Sequence, residues 1–228
     1  MSGNSKLWRV AGGLAIVHVA LMFGSFSLQR VADLGAKPAS VTSAFVAHSA
    51  TQGFAGAYLT LLSFVVFLLA ATLLARLLRG GGEVSAWLSS AITATATIYV
   101  AVTLAAELAN VGAAIYDGHH GAPLSTVTAL DHAHWFGVFA ATAVLGVFTF
   151  AVAAAALVGR ELPRWIGFTG LVPGLLCLAS GAGPRTGLVG GATMLWAIWF
   201  VALGVVALRR GQAVMAPVRS ERLRTSEA

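Results

Sequence analysis

The sequence is short of charge. Only 10% of its 228 residues are Asp, Glu, Lys or Arg, against about 25% in a soluble domain. That is too little to clothe a water-facing globule. It has one cysteine, Cys177, inside an apolar run. This excludes an internal disulfide and any CxxC redox or zinc motif, and leaves Cys177 as a small packing residue. A nucleophile elbow, a phosphate loop and a dinucleotide fingerprint are all missing. The glycine-rich "GLVGGAT" (187–193) lies within an apolar run and reads as close helix packing. No internal repeat is visible, which argues against an inverted-repeat transporter. Neither Lys6 nor Lys37 lies in an apolar run, so a retinal Schiff base is excluded. Only His18 lies deep in one, so a bis-histidine haem lacks its second ligand.

What is present is hydrophobic: 58% of the residues are apolar, and the mean hydropathy is +0.85. A spanning helix needs about 20 apolar residues. Six segments qualify, at 8–28, 53–78, 86–114, 129–158, 164–182 and 188–208. Polar or glycine-rich breaks separate them: "RGGGE" (79–83), "YDGHHGAPLST" (116–126), "GRELPR" (159–164) and "GAGPR" (181–185). Pro163 suits a helix start, and Pro173 predicts a kink in the fifth segment. Trp8, Trp87, Trp135 and Trp165 fall near segment ends, where an amphipathic ring suits the interface. The expected fold is all-α: a polytopic bundle of six transmembrane helices over residues 1–210.

Lys6, Arg9, Arg76, Arg79, Arg160, Arg164, Arg209, Arg210, Arg219, Arg222 and Arg224 fall on one side of such a bundle. Only Arg30, Lys37 and Arg185 fall on the other. Cytoplasmic loops carry the Lys/Arg excess, so both termini are expected in the cytoplasm and the protein in the cytoplasmic membrane. The +6 net charge is thereby explained without nucleic acid, and membrane lipids are the expected partners. "KLWRV" could open a signal peptide, but the apolar run behind it is long for one. A short helix is expected within 29–52. The basic tail 211–228 reads as disordered, with affinity for anionic lipid heads.

Polar groups inside the apolar runs carry the functional information, because each is costly in lipid unless paired. The third segment has Thr95, Tyr99, Thr103, Glu107 and Asn110 on one face. The second carries Gln52, Gly56 and Thr60, with His48 one turn before. The fourth opens with Thr128, Asp131, His132, His134 and Trp135, and the first holds His18 near mid-depth. With six crossings, Glu107, Asp117, His119, His120, Asp131, His132, His134 and His48 all converge on the outer side. This predicts an outward-facing pocket among the first four segments. Each residue also has a plain structural reading. Asp131 can complement a helix dipole, "DGHHG" can be a solvated turn, His18 can bond a neighbouring helix, and the hydroxyls can bond their own backbone. Glu107 is the hardest to explain that way, since a carboxylate at that depth has to be protonated, paired or water-lined.

Three classes of function fit. The first is a membrane-embedded enzyme doing acid–base chemistry on a small lipophile, with Glu107, Asp131 and His134 as catalytic groups and His18, His48, Tyr99, Asn110 and Trp135 binding the ligand. The second is a non-catalytic binding, sensing or accessory protein. The third is a small-solute transporter. His132 and His134 could ligate a metal only if the chain there is extended, since positions i and i+2 of a helix point about 200° apart. Composition names no cofactor.

"RELPRWIGFTGLVPGLLCL" (160–178) and "MLWAIWFVALGVVALRR" (194–210) resemble a pattern in an uncharacterised actinobacterial family of six-helix integral membrane proteins. The shared elements are an "LPRW" hairpin, a glycine-containing fifth helix and an "LW" helix ending in Arg-Arg. The resemblance implies a fold and a membrane location, and no activity.

Overall fold

The computed structural model describes residues 3–29, 39–40, 43, 49–80, 82–107, 113–183 and 186–213. Among these residues there are seven helices and no strands. We number them α1 (Gly3–Leu28), α2 (Ala50–Leu78), α3 (Glu83–Glu107), α4 (Ala113–His119), α5 (Leu124–Val158), α6 (Arg164–Gly181) and α7 (Thr186–Ala213). Five of them, α1, α2, α3, α5 and α7, are long and apolar enough to cross a membrane. The third apolar segment, expected to run to 114, is helical through Glu107; residues 108–112 lie outside the described residues, and Ala113–His119 form helix α4. The helix expected within 29–52 and the tail beyond Ala213 fall mostly outside the described residues.

Local chemistry sets several boundaries. Ser49 caps α2, accepting from the Gln52 amide while the Gln52 side chain accepts from the Ser49 amide. This reciprocal box satisfies two donors that a helix start otherwise leaves unpaired. After α4, Gly121 takes a left-handed backbone (φ 73°), and the amide of Ala122 reaches back to the carbonyl of Asp117 (3.0 Å). That is a Schellman ending, which favours glycine at the turning residue. The "DGHHG" stretch is therefore a helix end, with His119 and His120 exposed and His120 stacked on Tyr116.

The six long helices close a ring: each packs on its chain neighbour, and α7 returns to α1. Where α1 meets α7, Gly12 and Gly204 bring the two backbones together, and a Cβ on Gly204 would lie 3.0 Å from the Gly12 carbonyl oxygen. Lipid tails are as apolar as leucine, so helices associate through close packing of this kind. Helix α6 runs antiparallel along α5: Gly167 meets Ala153 and Leu157, Gly174 meets Gly146, and Gly181 meets Ala143. Pro173 is accommodated inside α6 and is buried.

One end of the ring gathers the start of α1, the α2–α3 and α5–α6 connections and the end of α7. Trp8 lies under the Arg210 guanidinium at 5.3 Å, and Arg210 also binds Glu161 of the α5–α6 hairpin at 2.6 Å. Trp8 is thus a buried packing residue, whereas Trp87 and Trp165 are exposed. Every described lysine and arginine is at this end: Lys6, Arg9, Arg76, Arg79, Arg160, Arg164, Arg209 and Arg210. The Arg210–Glu161 pair is partly open to solvent, and exposed pairs contribute little. Glu161→Ala is therefore expected to cost at most about 0.5 kcal/mol. Arg210→Ala, which also strips the cation from Trp8, should cost about 1 kcal/mol. Parallel SDS titrations in mixed micelles measure both, and equal losses would remove the Trp8 contribution.

Along the ring axis the half nearer the basic end is solid. Phe67, Phe148, Trp196 and Phe200 fill it with fully buried rings, and Phe67 sits 5.2 Å from Phe148 and 5.6 Å from Phe200. The other half is hollow.

Candidate functional site

The hollow half holds a cavity of about 340 Å³. Met22, Ser25 and Phe26 of α1, with Gln29 just beyond its end, form one wall, and Thr60, Ser63 and Phe64 of α2 the next. Tyr99, Thr103 and Glu107 of α3 follow, then His134, Trp135, Val138, Ala141 and Thr142 of α5. Helix α7 closes it with Val189, Gly190, Thr193 and Met194. The pocket expected among four segments therefore has five walls. The contribution of α7 had no signal in the sequence, because ring closure between the first and last helices is a tertiary fact.

The periodicity of α3 explains how the site forms. Tyr99, Thr103 and Glu107 recur every fourth residue and share a face. On α5, His134, Val138, Ala141 and Thr142 do the same. The two faces meet at the end remote from the basic cluster, where Ala106 packs against Gly137. A side chain at 137 would push the helices apart, so glycine there lets Glu107 approach His134. Glu107 Oε1 and His134 Nδ1 are 3.7 Å apart, and their side chains are 13% and 5% exposed. That separation is too long for a hydrogen bond. Glu107 Oε2 and His134 Nδ1 accordingly have no hydrogen-bond partner among the described residues.

The hydroxyl groups are arranged differently. Thr60 donates to the Gly56 carbonyl (3.2 Å) and accepts from Ser25 and from Gln29 Nε2 (3.4 Å). Thr103 donates to the Tyr99 carbonyl and Thr142 to the Val138 carbonyl, at 2.8 and 2.7 Å. Back-bonding of this sort is the usual fate of threonine in a membrane helix. Beneath the cavity, Ser63 donates to the His18 carbonyl (3.1 Å). His18 Nδ1 lies 2.9 Å from the Ser63 carbonyl oxygen and 2.8 Å from its hydroxyl. A carbonyl only accepts, so Nδ1 carries the proton and Nε2 presents a lone pair. The imidazole is fully buried among Phe64, Phe67, Trp196 and Phe200, with centroids 5.0 to 5.9 Å away.

Of the residues singled out in the sequence, Glu107, Tyr99, His134 and Trp135 line the cavity. His18 does not; it joins α1 to α2 under the floor. Asp131 does not line it either. It is buried one turn above His134 on the same face as Val127, and among the described residues neither carboxylate oxygen has a hydrogen-bond partner. His48 and Asn110 lie outside the described residues. The extended chain that a metal shared by His132 and His134 would need is not found. The chain is helical from Leu124, so the two side chains diverge: His134 is buried in the cavity wall, and His132 is exposed in a separate shallow groove with Ser125 and Thr128. Among the described residues no three His, Cys, Asp or Glu side chains are placed to hold a metal ion. Met22 and Ser25, which share a side of the first segment with His18, also line the cavity, whereas sequence reasoning passed over Gln29, Ser63 and Thr193.

Comparisons with protein-family models, with curated proteins and with solved structures return no match.

Proposed function

We propose that this is a six-span protein of the cytoplasmic membrane, with both termini in the cytoplasm, that binds a small lipophilic molecule in a pocket open to the outside. The observation that carries the reading is a blind cavity with one unbonded Glu107–His134 pair in its wall. Its size falls within the range of small-molecule sites, about 300–1,000 Å³, and mostly apolar walls with a few convergent polar groups are their usual composition. The aromatic plug behind it favours binding over conduction.

The sidedness has separate support. Helix α6 has 18 residues, or about 27 Å at 1.5 Å per residue. It runs beside α5 for that whole length, close to the thickness of the hydrocarbon core. Counting it as a crossing makes six, in keeping with α1 starting beside the end of α7. The basic cluster at that end favours the cytoplasmic side.

A second reading, acid–base catalysis on the bound molecule, is favoured by the same 3.7 Å pair, which has room to exchange a proton through a ligand group set between them. The transporter alternative would require the plug to open.

Thiol labelling in intact cells tests the pocket. His120→Cys should react with an impermeant maleimide, and Glu161→Cys should not. Thr193→Cys should react with a small methanethiosulfonate, and 4-phenylbutan-1-ol should slow that reaction. Wild-type Cys177 is buried and serves as the silent control. Reaction at 161 from outside would overturn the orientation, and an unprotected Thr193→Cys the pocket.

A further inference from the structure

The geometry points to a lipophilic cation, a protonated amine on an apolar body, as the class of molecule this cavity takes. The inference rests on the pocket reading above and concerns the chemistry of the walls.

A ligand head is recognised by whichever hydrogen-bonding roles a wall leaves open. Here five hydroxyl donor roles are used up. The hydroxyl protons of Ser25, Thr60, Thr103 and Thr142 are committed to partners within the protein, and that of Ser63 goes to the His18 carbonyl. Gln29 spends an amide proton on Thr60. What Ser25, Thr103, Thr142 and the Gln29 amide still leave open is oxygen lone pairs, whereas Thr60, which donates once and accepts twice, has none to spare. Glu107 adds Oε2, buried and without a partner, and among the described residues no lysine or arginine lines the wall. Every described basic side chain is at the opposite end of the ring. A surface with more open acceptors than open donors suits a head that only donates. An ammonium group has up to three donors and no acceptor.

The remaining surface agrees with this. Phe26, Phe64 and Trp135 line the same cavity, and aromatic faces attract cations. Met22, Val138, Ala141 and Val189 supply apolar wall for the body. Asp131, one turn above His134 on its face, is a second buried carboxyl group near the cavity. The Tyr99 and Thr193 hydroxyls, the second amide proton of Gln29 and His134 Nδ1, none of them bonded among the described residues, are the exceptions and could serve an anionic head instead. That makes an anionic ligand the competing outcome.

Titration calorimetry on the full chain in zwitterionic nanodiscs, with empty-disc heats subtracted, separates the possibilities. Three probes share one body: 4-phenylbutylamine, 4-phenylbutan-1-ol and 4-phenylbutyrate. The amine should bind at least ten-fold tighter than the alcohol, with the carboxylate weakest. Glu107→Gln should bring the amine's affinity down to that of the alcohol, and the size-exclusion profile and thermal melt of the variant show whether it is folded. Should that variant fail to fold, the wild-type order alone decides. An amine no tighter than the alcohol, or a carboxylate that binds best, overturns the cation inference and leaves the pocket standing. No binding by any probe overturns both.

Discussion

Gly12→Leu should open the helix ring and cost about 3 kcal/mol, the upper part of the range for overpacked sites. A Cβ at position 12 would run into the carbonyl oxygen of Gly204 and both the backbone and the side chain of Leu208. Backbone cannot rotate aside as a flexible side chain can, so α1 and α7 would have to separate. This contact closes the ring, so its loss should also disturb the α7 wall of the cavity. Gly13 is the internal control: nothing lies within 4 Å of a Cβ there, and Gly13→Ala should stay within about 0.5 kcal/mol of wild type. SDS titration of the purified proteins gives both values. Equal stability of Gly12→Leu and Gly13→Ala would mean that α1 and α7 do not meet as described.

Phe67→Ala should be comparably severe, at about 3–4 kcal/mol. The Phe67 ring is fully buried and touches His18, Tyr99, Phe148, Trp196 and Phe200. In a bilayer the transfer of apolar surface from water contributes little to helix association, so most of the loss comes from missing dispersion contacts and the void left behind. Phe67→Leu, which keeps much of the volume, should lose about 1 kcal/mol. The two variants also differ in function. The alanine form extends the cavity inward past Ser63 and Phe64, so a longer body than phenylbutyl should gain affinity only there. A Phe67→Ala loss below about 1 kcal/mol would mean the axis is not plugged by this ring.

Much of this architecture was legible residue by residue. Long apolar runs broken by "RGGGE", "GRELPR" and "GAGPR" have no stable state in water and mark out the helices. The i+4 recurrence of Tyr99, Thr103 and Glu107 put three polar groups on one face before any neighbour was known. The prior expectation that most threonines bond their own backbone also holds for Thr103 and Thr142.

Other parts were not legible. Helix periodicity says which residues share a face and nothing about which helix that face meets. Glu107 and His134 are 27 positions apart and come together because Gly137 lets Ala106 in close. His18 looked like a pocket residue from its depth, and packing instead seals it among four aromatic rings. Asp131 and His134 share a face, yet one helical turn decides that only His134 reaches the cavity. The sequence by itself determined that the chain is helical, that it needs an apolar solvent and that its basic residues crowd one end, because those follow from local hydrophobicity and charge order. The tertiary structure decided that α7 closes a ring on α1, that the ring is solid at one end and hollow at the other, and which polar atoms are left without partners. Those features arise from close contacts between distant segments, where a glycine or one turn of register selects which side chains face one another.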